Sequence, residues 1–269
     1  MNKIDLRKLQ LIQLDAFQEV DRICKKYNLA YYMIAGTLIG AVRHKGFIPW
    51  DDDIDIAMLR SDYDRFLNCC ASELTDKYFV QNYRTDTDFY PALTRICIKG
   101  TYLDDKYAKH LKFKKEAYID IFPLDNVPDD EEMMEKHGNR IMTIDRIMSY
   151  KACLVYRKGP FYSKLIGKKL LKMLLLPISL NSLQRCREKA MKEYSNQTTS
   201  RVCSTATMYS YKKHVMQRSS YENGVLLEFE GGMYYAPREW DTYLKQIYGD
   251  YMMLPPEEMR KPSFDVYEV

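Results

Sequence analysis

A chain of 269 residues with 46% hydrophobic content can bury one enlarged core, or a core with an insert, and is ordinary for a globular protein. Its seven cysteines are an odd number without C-x-x-C spacing, which argues against both a disulfide framework and a structural zinc site. The net charge of +4 comes with no recognisable nucleic-acid motif, so nucleic acid is a poor explanation of the basic residues.

In chain order, the N-terminal residues mix Asp and Glu into a helical pattern with Leu9, Leu14, Phe17, Val20 and Ile23 inward, unlike a signal peptide. The expected location is cytoplasmic. Leu29 to Ala35 reads as a buried strand, after which Gly36-Thr37 opens a short helix through about Val42. A glycine there lets a phosphate approach the backbone, and the helix N-terminal amides with the Thr37 hydroxyl can bind its oxygens. Arg43 and His44, one helix length later, can clamp a phosphate by charge-assisted hydrogen bonds. Each feature alone also fits a tight turn or a surface residue.

Four carboxylates follow within five positions: Asp51, Asp52, Asp53 and Asp55. Asp53-Ile54-Asp55-Ile56 alternates with period two, placing Asp53 and Asp55 on one face of a strand and the isoleucines in an apolar layer. Two like charges side by side raise each other's pKa unless a divalent ion, Mg²⁺ or Mn²⁺, is held between them. Asp51 has the same parity but follows Pro49 and Trp50, which puts it at the strand entrance, either behind the metal ligands or facing substrate. The alternative is a solvated acidic turn; the interleaving with Ile54, Ile56 and Ala57 counts against it.

Further along, a helix is expected from about Ser61 as N-cap, with Tyr63, Phe66 and Leu67 inward, then strands near Tyr78 to Asn82, Leu93 to Ile98 and Ala117 to Phe122. The last strand buries Asp120, which is costly without a partner and so is expected to face the same metal. A structural Asp capped by backbone amides is the alternative for Asp120, and the preferred reading for Asp125, a turn residue before Asn126. From Asp129 to about Gln217 the pattern is mainly helical. Between Arg140 and Ser220, 17 Lys or Arg stand against 3 Asp or Glu, a local +14, leaving 24 basic and 34 acidic residues, −10, elsewhere. Within that region 161–180 alternates lysines and leucines, fitting either an interfacial helix on an anionic leaflet or a lid over the core. The first reading implies peripheral attachment at the inner face of the membrane. Val225 to Tyr235 reads as a hairpin turning at Gly231-Gly232, and Arg238 to Tyr248 as a helix ending at Gly249.

The blocks AGTLIGAVRHKGFIPWDDDIDIAM, YIDIFPLD and FEGGMYYAPREWDTYLKQIYGDYMMLPPEE together resemble the LicD family of phosphocholine transferases and its fukutin relatives, in family order and over nearly the whole chain. The resemblance implies a nucleotidyltransferase-like α/β (α+β) fold, a mixed sheet core flanked by helices with a mainly helical insert. We divide the chain into a catalytic core (1–128), a basic helical insert (129–220) and a C-terminal hairpin and helix packed on the core (221–269). The resemblance places Gly36 and Thr37 in the family's Gly-Ser-type helix, Asp53 and Asp55 in its Asp-x-Asp strand, and Asp120 at the later strand acid.

The implied reaction moves a phospho-alcohol, phosphocholine first among them, from a CDP-alcohol donor such as CDP-choline to a hydroxyl of a cell-surface glycan or its lipid-linked precursor, releasing CMP. Lipopolysaccharide or teichoic acid modification would be its setting. Asp53, Asp55 and Asp120 would hold Mg²⁺ or Mn²⁺, with Asp120 as base, while Gly36, Thr37, Arg43, His44, Trp50 and Asp51 would bind substrate. A quaternary ammonium needs an aromatic cage, for which Trp50 stands first, then Trp240 and Tyr235, against a packing role for each. Past Pro255-Pro256-Glu257-Glu258 the chain continues Met259-Arg260-Lys261 without the His-containing tail frequent in the family. The rival functions are a nucleotidyltransferase acting on a small hydroxylated molecule, and a non-catalytic glycan- or nucleotide-binding module.

Overall fold

The computed structural model describes residues 1–104, 112–151, 177–206 and 211–269. Most of the lysine- and leucine-rich stretch 161–180 lies outside them, as does Cys153. Among the described residues no helix is long and apolar enough to cross a membrane.

After a short strand, β1 (Asn2–Lys3), helix α1 (Leu6–Tyr27) starts where the Asp5 carboxylate accepts the Lys8 amide and stops at Asn28 in the left-handed region. It buries the five apolar residues that its periodicity marks, together with Gln10 and Gln13. These amides explain two polar groups in an apolar stripe. Gln13 donates to the Asp52 and Tyr118 carbonyls, and Gln10 to that of Asp51, so α1 props the acidic loop from beneath.

β2 (Tyr32–Met33) is shorter than Leu29 to Ala35 because the chain turns at Ala35, φ +50°, into α2 (Ala35–His44). β3 (Asp55–Leu59) runs directly into α3 (Arg60–Glu73); the residue before α3 is Leu59, with no side-chain cap, so Ser61 lies inside the first turn rather than capping it. β4 (Tyr78–Gln81), β5 (Thr94–Ile98), β6 (Thr101–Asp104) and β7 (Tyr118–Val127) follow. The fold is a mixed α/β one. Its main sheet has the order β2-β3-β7-β5-β4, parallel between β3 and β7 and antiparallel elsewhere.

β7 is longer than its sequence pattern suggests and includes Asp125, which is therefore a strand residue and not a turn. The reason is its partner: Asp125 is fully buried and takes both Nε and Nη2 of Arg60, at 2.6 and 2.7 Å. The far end of β7 pairs with β8 (Arg201–Cys203), and β8 with β9 (Val215–Gln217), two short strands in a region whose pattern reads as helical. Between them and β7, α4 (Glu131–Lys151) and α5 (Leu180–Met191) close a separate small core around Met134, Ile141, Met191 and Tyr211. His137 is buried there between the Tyr211 hydroxyl and the Ala190 carbonyl.

The C-terminal hairpin, β10 (Val225–Phe229) and β11 (Gly232–Ala236), turns at Glu230-Gly231, both at positive φ, one residue earlier than expected because Gly232 already pairs with Phe229. Helix α6 (Trp240–Tyr248) ends at Gly249, as expected, and β12 (Asp265–Glu268) pairs with β1 and β6. The six described free cysteines are mostly buried, with Cys186 exposed and Cys69 half-buried.

Candidate active site

Sheet register sets the centre of the site. In the parallel β3–β7 ladder Asp55 stands opposite Asp120, and in the antiparallel β5–β7 ladder Asp120 stands opposite Arg95, so three charged residues form one row across three strands. Asp53 lies two residues before Asp55, just outside the strand. Asp53 and Asp55 remain partly open to solvent, so a ligand can reach them. The protein around them nevertheless pushes both carboxyls far above the usual range: burial comes first, then Asp55, Asp51, Asp52 and Asp120 for Asp53, and Asp120 and Asp51 for Asp55. Burial also raises Asp120, opposed by Arg95, whose Nε donates to its Oδ1 at 3.0 Å.

α2 holds this row in place. The Thr37 Oγ1, expected to meet a phosphate, is buried and accepts the Asp55 amide at 2.8 Å, tying the helix start to β3. A Cβ on Gly36 would fall 2.6 Å from Asp51 Oδ2, so the space this glycine opens is filled by the Asp51 carboxylate. Ala35 stands in the left-handed region directly before it, the kind of local strain that surrounding structure must hold. Gly36→Ala is expected to leave the fold intact and displace Asp51, lowering turnover roughly 10²-fold. A crystal structure of the variant with Asp51 unmoved would contradict this.

One oxygen each from Asp51, Asp52 and Asp53 can lie within 4.8 Å of one another. Asp52 is set apart from its neighbours. Its Oδ2 accepts the amides of Ser263 and Phe264, at 2.5 and 2.8 Å, so it fastens the C-terminal segment. Asp51 is held by a backbone hydrogen bond from Asp52, yet burial followed by the charge of Asp52 outweighs that bond and Arg43 and lifts it to about 7. A folded carboxyl with a raised pKa holds its proton longer than the unfolded chain does, so its stability contribution is present below the ordinary value of 3.8 and is lost as pH rises through about 7. The metal-free protein should therefore lose melting temperature over that window, and Asp51→Asn should flatten the slope. Equal slopes in the two proteins would refute the assignment.

Arg43 donates through Nε to His44 Nε2 at 2.9 Å and through Nη1 to the Tyr251 carbonyl at 2.8 Å. His44 in turn sits edge-on to Trp50, with ring centres 6.5 Å apart. The structure thus gathers Arg43, His44, Trp50 and Asp51 beside the acids. It does not bring the other two aromatics to Trp50: Trp240 packs on the core at the start of α6, and Tyr235 lies edge-on to Tyr31 on the outer face of the hairpin.

Three contributors escape a reading of the sequence: Arg95, Asp52 as a tether, and Tyr243, whose hydroxyl accepts the Ala35 amide at 3.4 Å. Arg95 carries the signal that marked Asp120, a charge inside an apolar strand that must have a partner. It also lies 3.5 Å over the Tyr118 ring.

The donor set is all carboxylate oxygen, mutually repelling and partly open, which fits a hard divalent cation such as Mg²⁺ or Mn²⁺. A mixed sheet carries this cluster beside Arg43, and residues 28–158 match the family model described as "LicD/FKTN/FKRP, nucleotidyltransferase domain", which gives the class of the domain. Over 271 aligned residues, 97% of each chain, the protein is 32% identical to the lipopolysaccharide cholinephosphotransferase LicD of Haemophilus influenzae. It is 28% identical over 131 residues to an uncharacterized protein of Rickettsia prowazekii, covering 42% of this chain and 45% of that one. The chain belongs to the LicD family and is an enzyme of the phosphotransferase type.

Proposed function

We propose that this enzyme transfers phosphocholine from CDP-choline to a hydroxyl of lipopolysaccharide or its lipid-linked precursor, with release of CMP. The observation that carries the reading is the similarity, along the whole of both chains, to a lipopolysaccharide cholinephosphotransferase. In the reaction the acceptor oxygen bonds to the choline-side phosphorus, the bond from that phosphorus to the bridging oxygen breaks, and CMP leaves with the bridging oxygen. The hydroxyl proton passes to a carboxylate of the cluster, Asp120 in our reading, whose pKa burial raises against the pull of Arg95. Asp53, Asp55 and Asp120 would hold the divalent ion, which supplies charge neutralisation at the diphosphate. Arg43 and the start of α2 would orient the donor, and most of the rate would come from that positioning. Attachment of the enzyme to the inner membrane face belongs to the same proposal, because a lipid-linked acceptor lies there.

A thermal-shift screen with CDP-choline, CDP-ribitol, CDP-glycerol, CTP, ATP and UTP, each with and without Mg²⁺ or Mn²⁺, tests this, followed by measurement of CMP release. Metal-dependent stabilisation by CDP-choline, lost in Asp53→Asn, is expected. Stabilisation by a nucleoside triphosphate alone would replace the reading with nucleotidyl transfer, the chemistry named in the matched family description. No response to any of them would favour a binding module.

A further inference from the structure

The segment from Tyr251 to Phe264 is fastened at both ends by residues of the acidic motif and its helix. Arg43 Nη1 holds the Tyr251 carbonyl at one end, and the Asp52 carboxylate holds the Ser263 and Phe264 amides at the other. Between these ties the short 3-10 turn Glu257–Met259 delivers Arg260, whose guanidinium carbon stands 5.6 Å over the Trp50 ring while its Nε donates to the Pro255 carbonyl at 2.8 Å. His44, bonded to Arg43, touches the same indole edge-on. Arg43, His44, Trp50 and Arg260 thus make one continuous cluster beside Asp51.

The charges of this cluster are unbalanced. Among the described residues no carboxylate lies within ion-pair distance of Arg43 or Arg260, whereas the buried or half-buried Arg60, Arg95, Arg187, Lys192 and Arg201 each have one. Arg260 also repels Arg43: together with burial, the larger effect, it lowers the Arg43 pKa against the pull of Asp51. Two guanidiniums held near each other by backbone ties from opposite ends of the chain are stabilised when an anion enters between them. Trp50 serves one of them as a platform, so the face it gives to Arg260 is closed to a quaternary ammonium.

We propose that Arg260 is a substrate-binding residue which, with Arg43, receives the diphosphate of the donor, and that the C-terminal segment is the outer wall of the donor site. This rests on the proposed CDP-alcohol reading for the identity of the donor, but the anion subsite itself does not. The group that carries choline must then lie away from the Arg260 face of Trp50.

The test uses the full chain and three probes in titration calorimetry with Mg²⁺ present: CDP-choline, CDP without the alcohol, and inorganic pyrophosphate. Arg260→Ala is expected to weaken all three roughly ten- to hundredfold, and Arg260→Lys, which keeps the charge, to recover part of the loss. In turnover, KM should rise more than kcat falls. If Arg260→Ala binds CDP and pyrophosphate as the wild type does, the proposal is overturned, and loss confined to CDP-choline overturns it too by assigning Arg260 and Trp50 to the alcohol. Should the wild type bind pyrophosphate but no CDP-alcohol, and Arg260→Ala lose that binding, the anion subsite stands while the donor assignment falls. Wild-type protein that binds neither overturns both.

Discussion

Asp55→Asn is expected to lower turnover by about 10³-fold or more and, in metal-free buffer, to raise the melting temperature. Both effects follow from the same geometry. Asp55 is opposed across the parallel ladder by Asp120, and burial, then the charges of Asp120 and Asp51, hold its carboxyl far above the usual range against the pull of Arg95. Neutralising it removes a repulsion the fold tolerates without benefit to itself, which is the pattern of a site kept for function at the expense of stability. With Mg²⁺ added, the order should reverse, the wild type gaining melting temperature and the variant gaining little. Differential scanning calorimetry with and without the ion, beside an assay for CMP, reads both. A variant that is less stable than the wild type in metal-free buffer would show that Asp55 has a structural role instead.

Asp120→Asn separates these effects because its carboxylate is also the partner of Arg95. Removing it takes from that guanidinium its ion-pair partner at 3.0 Å and leaves it buried over the faces of Tyr118 and Phe89, so Asp120→Asn should lose activity and stability together. Two acids in one row of the sheet, opposite each other, are therefore expected to give opposite signs in calorimetry.

That distinction could not be read from the chain alone, although both acids could. Period-two alternation is a local property, and it marks Asp53, Asp55 and Asp120 because a strand exposes its pattern within a few residues. The turn into α2, the hairpin and the helix ending at Gly249 are legible for the same reason. Which strands neighbour one another is decided by the whole fold. The row Asp55–Asp120–Arg95 exists only because β7 lies between β3 and β5. Thr37 likewise looks like a phosphate ligand until β3 is placed beside α2, where its hydroxyl meets the Asp55 amide. Asp52 reads as one more acid of a cluster, yet its partners are the amides of Ser263 and Phe264, more than 200 residues away, and nothing local marks them. Asp125 looks like a turn residue for a related reason: its local pattern resembles a turn, and the residue that makes it a strand interior, Arg60, lies at the start of α3.

Asp125→Ala is expected to be the most destabilising single change outside the site. The Arg60–Asp125 pair is bidentate and almost wholly inaccessible, with side-chain exposures of 7% and 1%. Burial works against the Arg60 charge, and Asp125 outweighs it, raising the Arg60 pKa above its ordinary value. Truncating Asp125 leaves a guanidinium beneath the sheet with, among the described residues, the Tyr63 ring 5.0 Å away and Asp64 at 3.7 Å, a carboxylate already shared with Lys192. Breaking a buried pair from one side costs about 3–5 kcal/mol, or roughly 10 °C of melting temperature in a chain of this size. Replacing both partners removes the stranded charge, so Arg60→Met with Asp125→Leu should recover most of that loss. Urea denaturation of Arg60→Met, Asp125→Leu and the double variant completes the cycle. An Asp125→Ala protein within about 1 kcal/mol of the wild type, the range of an exposed ion pair, would mean that β7 and α3 are held together by their apolar contacts alone. The acidic site should be largely untouched in the double variant, because Asp125 lies five residues beyond Asp120 on β7 and faces Arg60, not the carboxylate row.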